Sequence, residues 1–366
     1  MNRRTFLKLS ATAPAWSPLT GIVRADARPK EFDPRPGTWR TYEVTTRVEI
    51  IDPAGVTRVW VPLPVIESDY QKVHGNTWSG NAKVMERVTD PEHGAGMVYA
   101  EWAAGEKAPV VEIVSKFQTQ DRAVDWSRKT RARLDAAAAR KWTRPTDLMP
   151  TDGIVKETAE DVTRGKRTDV AKAQAIYDWI LANTYRDPKV RGCGVGDIKA
   201  MLELKSFGGK CADLNGLFVG LARAAGVPAR DMYGIRVGPS AFGYKALGAG
   251  SANISKAQHC RAEVFLQDYG WVAMDPADVA KVAREETDES LEIDHPVVAP
   301  VRPKLFGAWE GNWLAYNVAH DVKLPHAQGG KVGFLMYPQA ETAEGRRDSL
   351  DPDAFKYTIT TRPLGA

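Results

Sequence analysis

Cys211 follows Gly208-Gly209-Lys210 and opens a stretch in which Leu214, Leu217, Phe218, Leu221 and Ala225 recur at helical spacing, before Gly226 and Pro228 end it. A thiol in the first turn of a helix has a chemical use. Only the thiolate attacks a carbonyl, and a helix N-terminus or a neighbouring imidazolium lowers a thiol pKa from its usual value of about 8.5. The N–H groups of the same turn face the place where a tetrahedral oxyanion develops. Positions 211, 214, 218, 221 and 225 share one stripe, so the thiol points at whatever the helix packs on.

Farther along the chain His259 supplies an imidazole and Asp275 a carboxylate. His259 opens an alternating strand with Arg261 and Glu263 on its own face and Cys260, Ala262, Val264 and Leu266 on the other. A turn around Gln267-Asp268-Tyr269-Gly270 returns the chain through Trp271 and Val272 to Asp275. Centred on Gln267, that turn sets imidazole and carboxylate directly across the ladder; Gly270 could instead recentre it and offset them. In both cases an odd-membered loop is needed for the two to share a face.

Three segments in order carry a family resemblance: Gly208-Gly209-Lys210-Cys211-Ala212-Asp213 with Leu221 to Arg230, then His259, then Tyr269-Gly270-Trp271 through Asp275-Pro276. They resemble the core motifs of the transglutaminase-like superfamily over roughly residues 150–285, and Ala175 to Pro188 looks like its preceding helix. The resemblance implies a papain-like α+β core in which a Cys-bearing helix packs on an antiparallel sheet. It also implies the roles of nucleophile, base and orienting group for Cys211, His259 and Asp275. Cys260 stands where the family usually has an aromatic or small residue, and no second oxyanion donor carries over; Tyr185 is a guess.

The surrounding elements follow from periodicity. Tyr42, Val44, Val48 and Ile50 alternate with polar residues, Val59, Val61 and Leu63 repeat the period of two, and so do Val111, Ile113 and Phe117. Residues 28–150 are therefore expected to be a β-rich, sandwich-like domain and linker, the linker being the alanine-rich, charged stretch Arg131 to Lys141 with the prolines that follow. After about 150 the period turns helical: Thr168-Asp169 caps a stripe of Val170, Ala173, Tyr177, Ile180, Leu181 and Thr184. The catalytic core is placed at 151–290. Residues 291–366 read as an extension whose segments Lys331 to Pro338 and Phe355 to Thr360 form a terminal hairpin. Between strands, Gly238 to Ser255 is long and rich in Gly, Ala and Ser, and is expected to be a mobile rim over the site.

Residues 1–27 read as an address. Arg3-Arg4 with Phe6, Leu7 and Lys8, a weakly apolar stretch to Val23 and the small-residue site Ala25-Asp26-Ala27 resemble a twin-arginine signal peptide; a general secretory signal is the alternative. Either route leads to the periplasm. The formal net charge is +4, and removing those residues takes away three positive charges, which gives no electrostatic case for nucleic acid. No run is long enough to span a bilayer. Three cysteines cannot build a disulfide scaffold, and in an exported chain the odd number leaves one thiol free; pairing of Cys193 with Cys260, away from the catalytic face, is the arrangement expected.

A metal site from Cys193, Cys211, His259 and Cys260 lacks paired spacing, and residues 259 and 260 point to opposite faces, so neither metal nor cofactor is expected. His320 and His326 near Asp321 read as loop surface, and Trp309, Trp313 and Tyr316 as core rather than a binding groove. The function expected is thiol-dependent acyl transfer, by default hydrolysis, on a protein, peptide or cell-wall amide. The alternative is a non-catalytic binding or scaffolding protein on the same fold.

Overall fold

The computed structural model describes residues 31–351 and 355–365, so the signal-peptide reading of residues 1–27 lies outside the described residues. The N-terminal half is a β-sandwich, as alternation predicts. In one sheet Arg40–Glu49 is flanked by Val110–Thr119 and Lys356–Leu364, with Gln71–Gly80 at the far edge. In the other, Thr57–Pro62 lies between Gly96–Trp102 and Gln339–Thr342, with Val84–Thr89 and Gly345–Arg346 outside. Val48, Val59, Val61, Val98, Trp102, Val111 and Ile113 fill the space between them, each with at most 2% of its surface exposed.

Both sheets take a strand from the C-terminal end of the chain, which corrects the terminal hairpin expected there. Lys356–Leu364 pairs with Arg40–Glu49 along nine registered positions from Thr41↔Leu364 to Glu49↔Lys356, and Gln339–Thr342 pairs with Thr57–Pro62. Among the described residues of 339–364, the hairpin between neighbouring strands joins Gln339–Thr342 to Gly345–Arg346. The physical reason is edge satisfaction: the open edge of Arg40–Glu49 is longer than any local partner for residues 356–364, and it pairs their backbone groups throughout.

Among the described residues six α-helices lie between: α1 Ala136–Thr143, α2 Gly153–Val162, α3 Asp169–Asn183, α4 Ile198–Glu203, α5 Cys211–Ala224 and α6 Pro276–Glu285. Helix α1 occupies part of the stretch read as linker, started by the Asp135 side chain accepting from Ala138 N. Thr168 caps α3 as its sequence predicts, accepting from Ala171 N at 3.2 Å, and Ala173, Tyr177, Ile180 and Leu181 are buried. Helix α5 departs from an amphipathic reading: every residue from Cys211 to Arg223 is buried. It is enclosed rather than laid on a surface.

The sheet against α5 is antiparallel, in the order Gly270–Met274, Gln258–Leu266, Ala229–Arg236, Trp313–Asn317. The last strand covers a flank that the resemblance alone did not specify. Trp309, Trp313 and Tyr316 are buried core residues, as read, with exposures of 1, 1 and 3%. His320 is not loop surface: it is buried in a short strand with Nδ1 3.2 Å from the Tyr233 hydroxyl, whereas His326 is exposed. Among the described residues no helix is long and apolar enough to cross a membrane.

Candidate functional site

Helix α5 delivers its thiol through an unusual start. The Asp213 carboxylate reaches back to accept from Lys210 N at 2.9 Å, and its other oxygen accepts from Val195 N and Gly196 N at 3.0 and 2.9 Å. One side chain thus caps the helix and ties the 193–196 loop to it. Ala212 N donates to Cys193 O at 2.9 Å, which completes the clasp. Gly194 has φ +92°, and a Cβ there would sit 1.8 Å from Asp213 Oδ2. Gly194→Ala is therefore expected to destabilise the fold by about 2 kcal/mol or more, from backbone strain and a displaced carboxylate. Unchanged thermal unfolding of that variant would contradict the clasp.

The turn after His259 is centred on Asp268, not Gln267: Leu266 pairs with Gly270, Val264 with Val272 and Ala262 with Met274. The loop is odd-membered, and Asp268 and Gly270 take the left-handed φ values of 74° and 83°. The same face is preserved, and continuing the register sets Asp275 beside Arg261, two residues along from His259. The imidazole bridges that offset, with His259 Nε2 2.8 Å from Asp275 Oδ2. Asp275 also caps α6, accepting from Asp278 N at 3.1 Å with Pro276 as the next residue, and Asn215 Nδ2 of α5 donates to its Oδ1 at 3.1 Å. Gly234, opposite His259, has no Cβ where Trp313 passes, and the indole Nε1 donates to His259 O at 3.0 Å.

Cys211, His259 and Asp275 thus converge, the thiol only 2% exposed and near enough to the imidazole for His259 to lower its pKa. The thiol and the imidazole line a cleft of about 600 Å³. Asp278 was missed by sequence reasoning. Its Oδ1 lies 3.3 Å from His259 Nε2 and it is paired with the buried Arg236 guanidinium. A carboxylate one helical turn after the Asp275 cap was the available signal.

Residues 156–276 match the core of the transglutaminase-like superfamily. An uncharacterized protein of Haemophilus influenzae is 34% identical over 342 residues, covering 88% of this chain and 91% of its own. The chain belongs to the transglutaminase-like superfamily. The crystal structure of a proposed cysteine protease from Cytophaga hutchinsonii superposes with a TM-score of 0.56 at 12% identity, covering 90% of this chain and 92% of that one. At that identity the likeness speaks for the fold.

Within this transglutaminase-like core the other two cysteines are not where alternation put them. All three thiols are free and buried, and their sulfurs lie within 4.8 Å of one another. Cys260 was expected to face away from the nucleophile, and the opposite-face argument against a sulfur cluster fails with it. The reason is an open edge: the Gly270–Met274 strand pairs only as far as Ala262, and beyond it Asn215 Nδ2 of α5 bonds Cys260 O at 2.9 Å. The helix start abuts that edge, where side chains from both faces reach the thiol. Cys193 Sγ lies 3.3 Å from Gln258 O, and Cys260 Sγ lies 4.0 Å from Met336 Sδ.

The electrostatics separate the three thiols. Burial opposes ionisation of Cys211, but hydrogen bonds from Cys193, Cys260 and His259, with the imidazole's charge, hold it well below the ordinary thiol range. The Cys193 thiol is raised, first by its hydrogen bond to Cys211, and Cys260 is raised by burial and by its two sulfur neighbours. For His259, burial works against protonation, yet Asp278 and then Asp275 outweigh it and Arg236, and push it up to about 9. Arg236 and His259 keep Asp278 ionised against its burial, while burial and the Asp278 charge raise Asp275. These shifts favour a thiolate beside an imidazolium at neutral pH.

Tyr185 is 61% exposed and does not line the cleft, which removes it as an oxyanion donor. Gln258 does line it, and its Nε2 amide is buried without a hydrogen-bond partner. The stretch Gly238 to Ser255 rims the cleft as expected but is pinned: Leu247 O accepts from Arg236 Nη1 at 2.6 Å and from Asn312 Nδ2 at 3.0 Å, and the Tyr244 hydroxyl donates to Val297 O.

Proposed function

We propose that the chain is a cysteine acyltransferase working by a Cys211–His259–Asp275 triad, hydrolysing amides in the periplasm. The observation that carries this is the imidazole held between the Cys211 thiol and the Asp275 carboxylate, both beneath one cleft. Thiolate Sγ attacks the amide carbonyl carbon, and its electrons pass to the oxygen. The N–H groups of Ala212, Asp213 and Leu214 are already bonded, which leaves the Cys211 N–H at the start of α5 and the Gln258 amide as the donors for that oxyanion. His259 then gives its proton to the leaving nitrogen, the C–N bond breaks and a thioester remains. His259, now neutral, takes a proton from water; the hydroxide adds to the thioester, the acid leaves and Cys211 returns as thiolate. Asp275 fixes the imidazole's orientation and balances its charge throughout. The periplasmic placement rests on the Arg3-Arg4 signal.

Turnover is expected to vanish in Cys211→Ala, by about 10⁴-fold or more, with the fold intact. Peptide and wall-fragment extracts treated with wild type and variant, compared by mass spectrometry, supply the readout. Fragments released equally by both proteins would contradict the nucleophile and favour a scaffold.

A further inference from the structure

Among the described residues, seven lysine and arginine side chains and no aspartate or glutamate line the cleft over Cys211. Chance composition does not account for this, because the chain carries 50 Lys and Arg against 46 Asp and Glu. The cations arrive from distant parts of the fold: Arg186 and Arg191 precede α4, Lys281 belongs to α6, and Lys356 opens the last strand. Several are paired from behind. Arg186 and Lys281 share Glu285 at 2.8 and 4.0 Å, Arg191 meets Asp348, Lys356 meets Glu49, and Arg236 meets Asp278. None of those four carboxylates lines the cleft, so among the described residues three positive charges are in excess there. Among the described residues Lys210 and Lys256 have no ion pair, and Lys256 is exposed at the mouth. Lys281 registers the surroundings, since burial and then Arg236 push its ammonium down to about 8 despite Asp278 and Glu285.

A cleft lined by one sign of charge concentrates ligands of the other and speeds their arrival by about 10 to 10³-fold. Thioester formation needs a carbonyl, and carboxylates are the anions that accompany amide carbonyls in peptides. We infer that the acyl donor is an acidic peptide, its carboxylates held by Lys210, Lys256 and the rim cations on either side of the bond that Cys211 attacks. This rests on the acyl-transfer reading above. The excess charge matters only if the nucleophile beneath it reacts.

Two alkylating agents separate the two claims. Neutral iodoacetamide reports the thiolate alone, while iodoacetate carries a carboxylate past the cations to the same sulfur. The iodoacetate to iodoacetamide rate ratio at Cys211, divided by that of 2-mercaptoethanol, is expected to be about 10 or more at low ionic strength and to fall towards 1 in about 1 M salt. In Lys256→Glu and in Lys356→Gln the ratio is expected to drop severalfold, each measured against iodoacetamide on the same variant. A glutamate-rich hexapeptide is expected to protect Cys211 from iodoacetamide at a concentration at least about tenfold below its glutamine counterpart. A ratio of 1 or less, or equal behaviour of the two peptides, overturns the acidic-peptide inference. Failure of iodoacetamide itself to react at pH 6 would instead overturn the thiolate reading.

Discussion

His259→Ala is expected to slow alkylation of Cys211 at pH 6 by about 100-fold, because an ordinary thiol of pKa about 8.5 is only about 0.3% ionised there. Three neighbours hold the anion, but they are not equal. Cys193 and Cys260 offer S–H groups, which are weak donors, whereas the imidazolium brings a full charge into a buried site. That charge is available across neutral pH since Asp278 and Asp275 keep His259 protonated up to about 9. Mass-spectrometric rates for wild type and variant decide the matter. A change smaller than about threefold would assign the activation to the sulfur cluster and the helix start.

The second large effect concerns the fold beneath the site. Glu263 lies on the His259 face of its strand, 1% exposed, between Arg122 and Arg230, with Arg230 at 2.6 Å. Arg122 stacks over Tyr70 and Trp309, and Arg230 over Trp271 at 4.1 Å, so both guanidinium groups are committed to this carboxylate. Burial favours the neutral acid, but the two arginines hold Glu263 below the usual carboxylate range. Glu263→Gln leaves two cations facing no charge and is expected to destabilise the protein by about 3 to 5 kcal/mol. With a folded pKa depressed below about 4.3, the wild-type carboxylate contributes fully above that value and loses its contribution as pH falls through the folded pKa. Denaturant unfolding at pH 7 and pH 3 should therefore separate wild type from variant strongly at the first and weakly at the second. Equal midpoints at pH 7 would sink the idea.

Short-range signals placed Cys211, His259 and Asp275 in the sequence, and the family resemblance gave them their expected roles. Cys211 at a helix start, His259 at a strand start and Asp275 after a turn are each set by short-range signals, and the odd-membered loop around Asp268 satisfied the face criterion. What spacing could not supply is everything brought in from far along the chain. Cys193 reaches the thiol because Asp213 clasps its loop, and Arg236 reaches Asp278 across 42 residues. Lys356–Leu364 finds Arg40–Glu49 across the whole chain. Alternation also says which residues share a face but not whether that face is wet. On the strand Gln258–Leu266 both faces are buried, so the polar set His259, Arg261 and Glu263 is an internal charge network rather than a solvated side.

The central claim is that one thiol of three is a resting thiolate, and the direct measurement is the alkylation rate of each cysteine against pH in the folded, reduced wild type. Cys211 is expected to label first at about pH 6, roughly 100-fold faster than Cys193 or Cys260, with an inflection well below 8.5 and a second change near pH 9 as His259 loses its proton. Uniform labelling of all three cysteines, or a Cys211 that reacts only at alkaline pH, would contradict it.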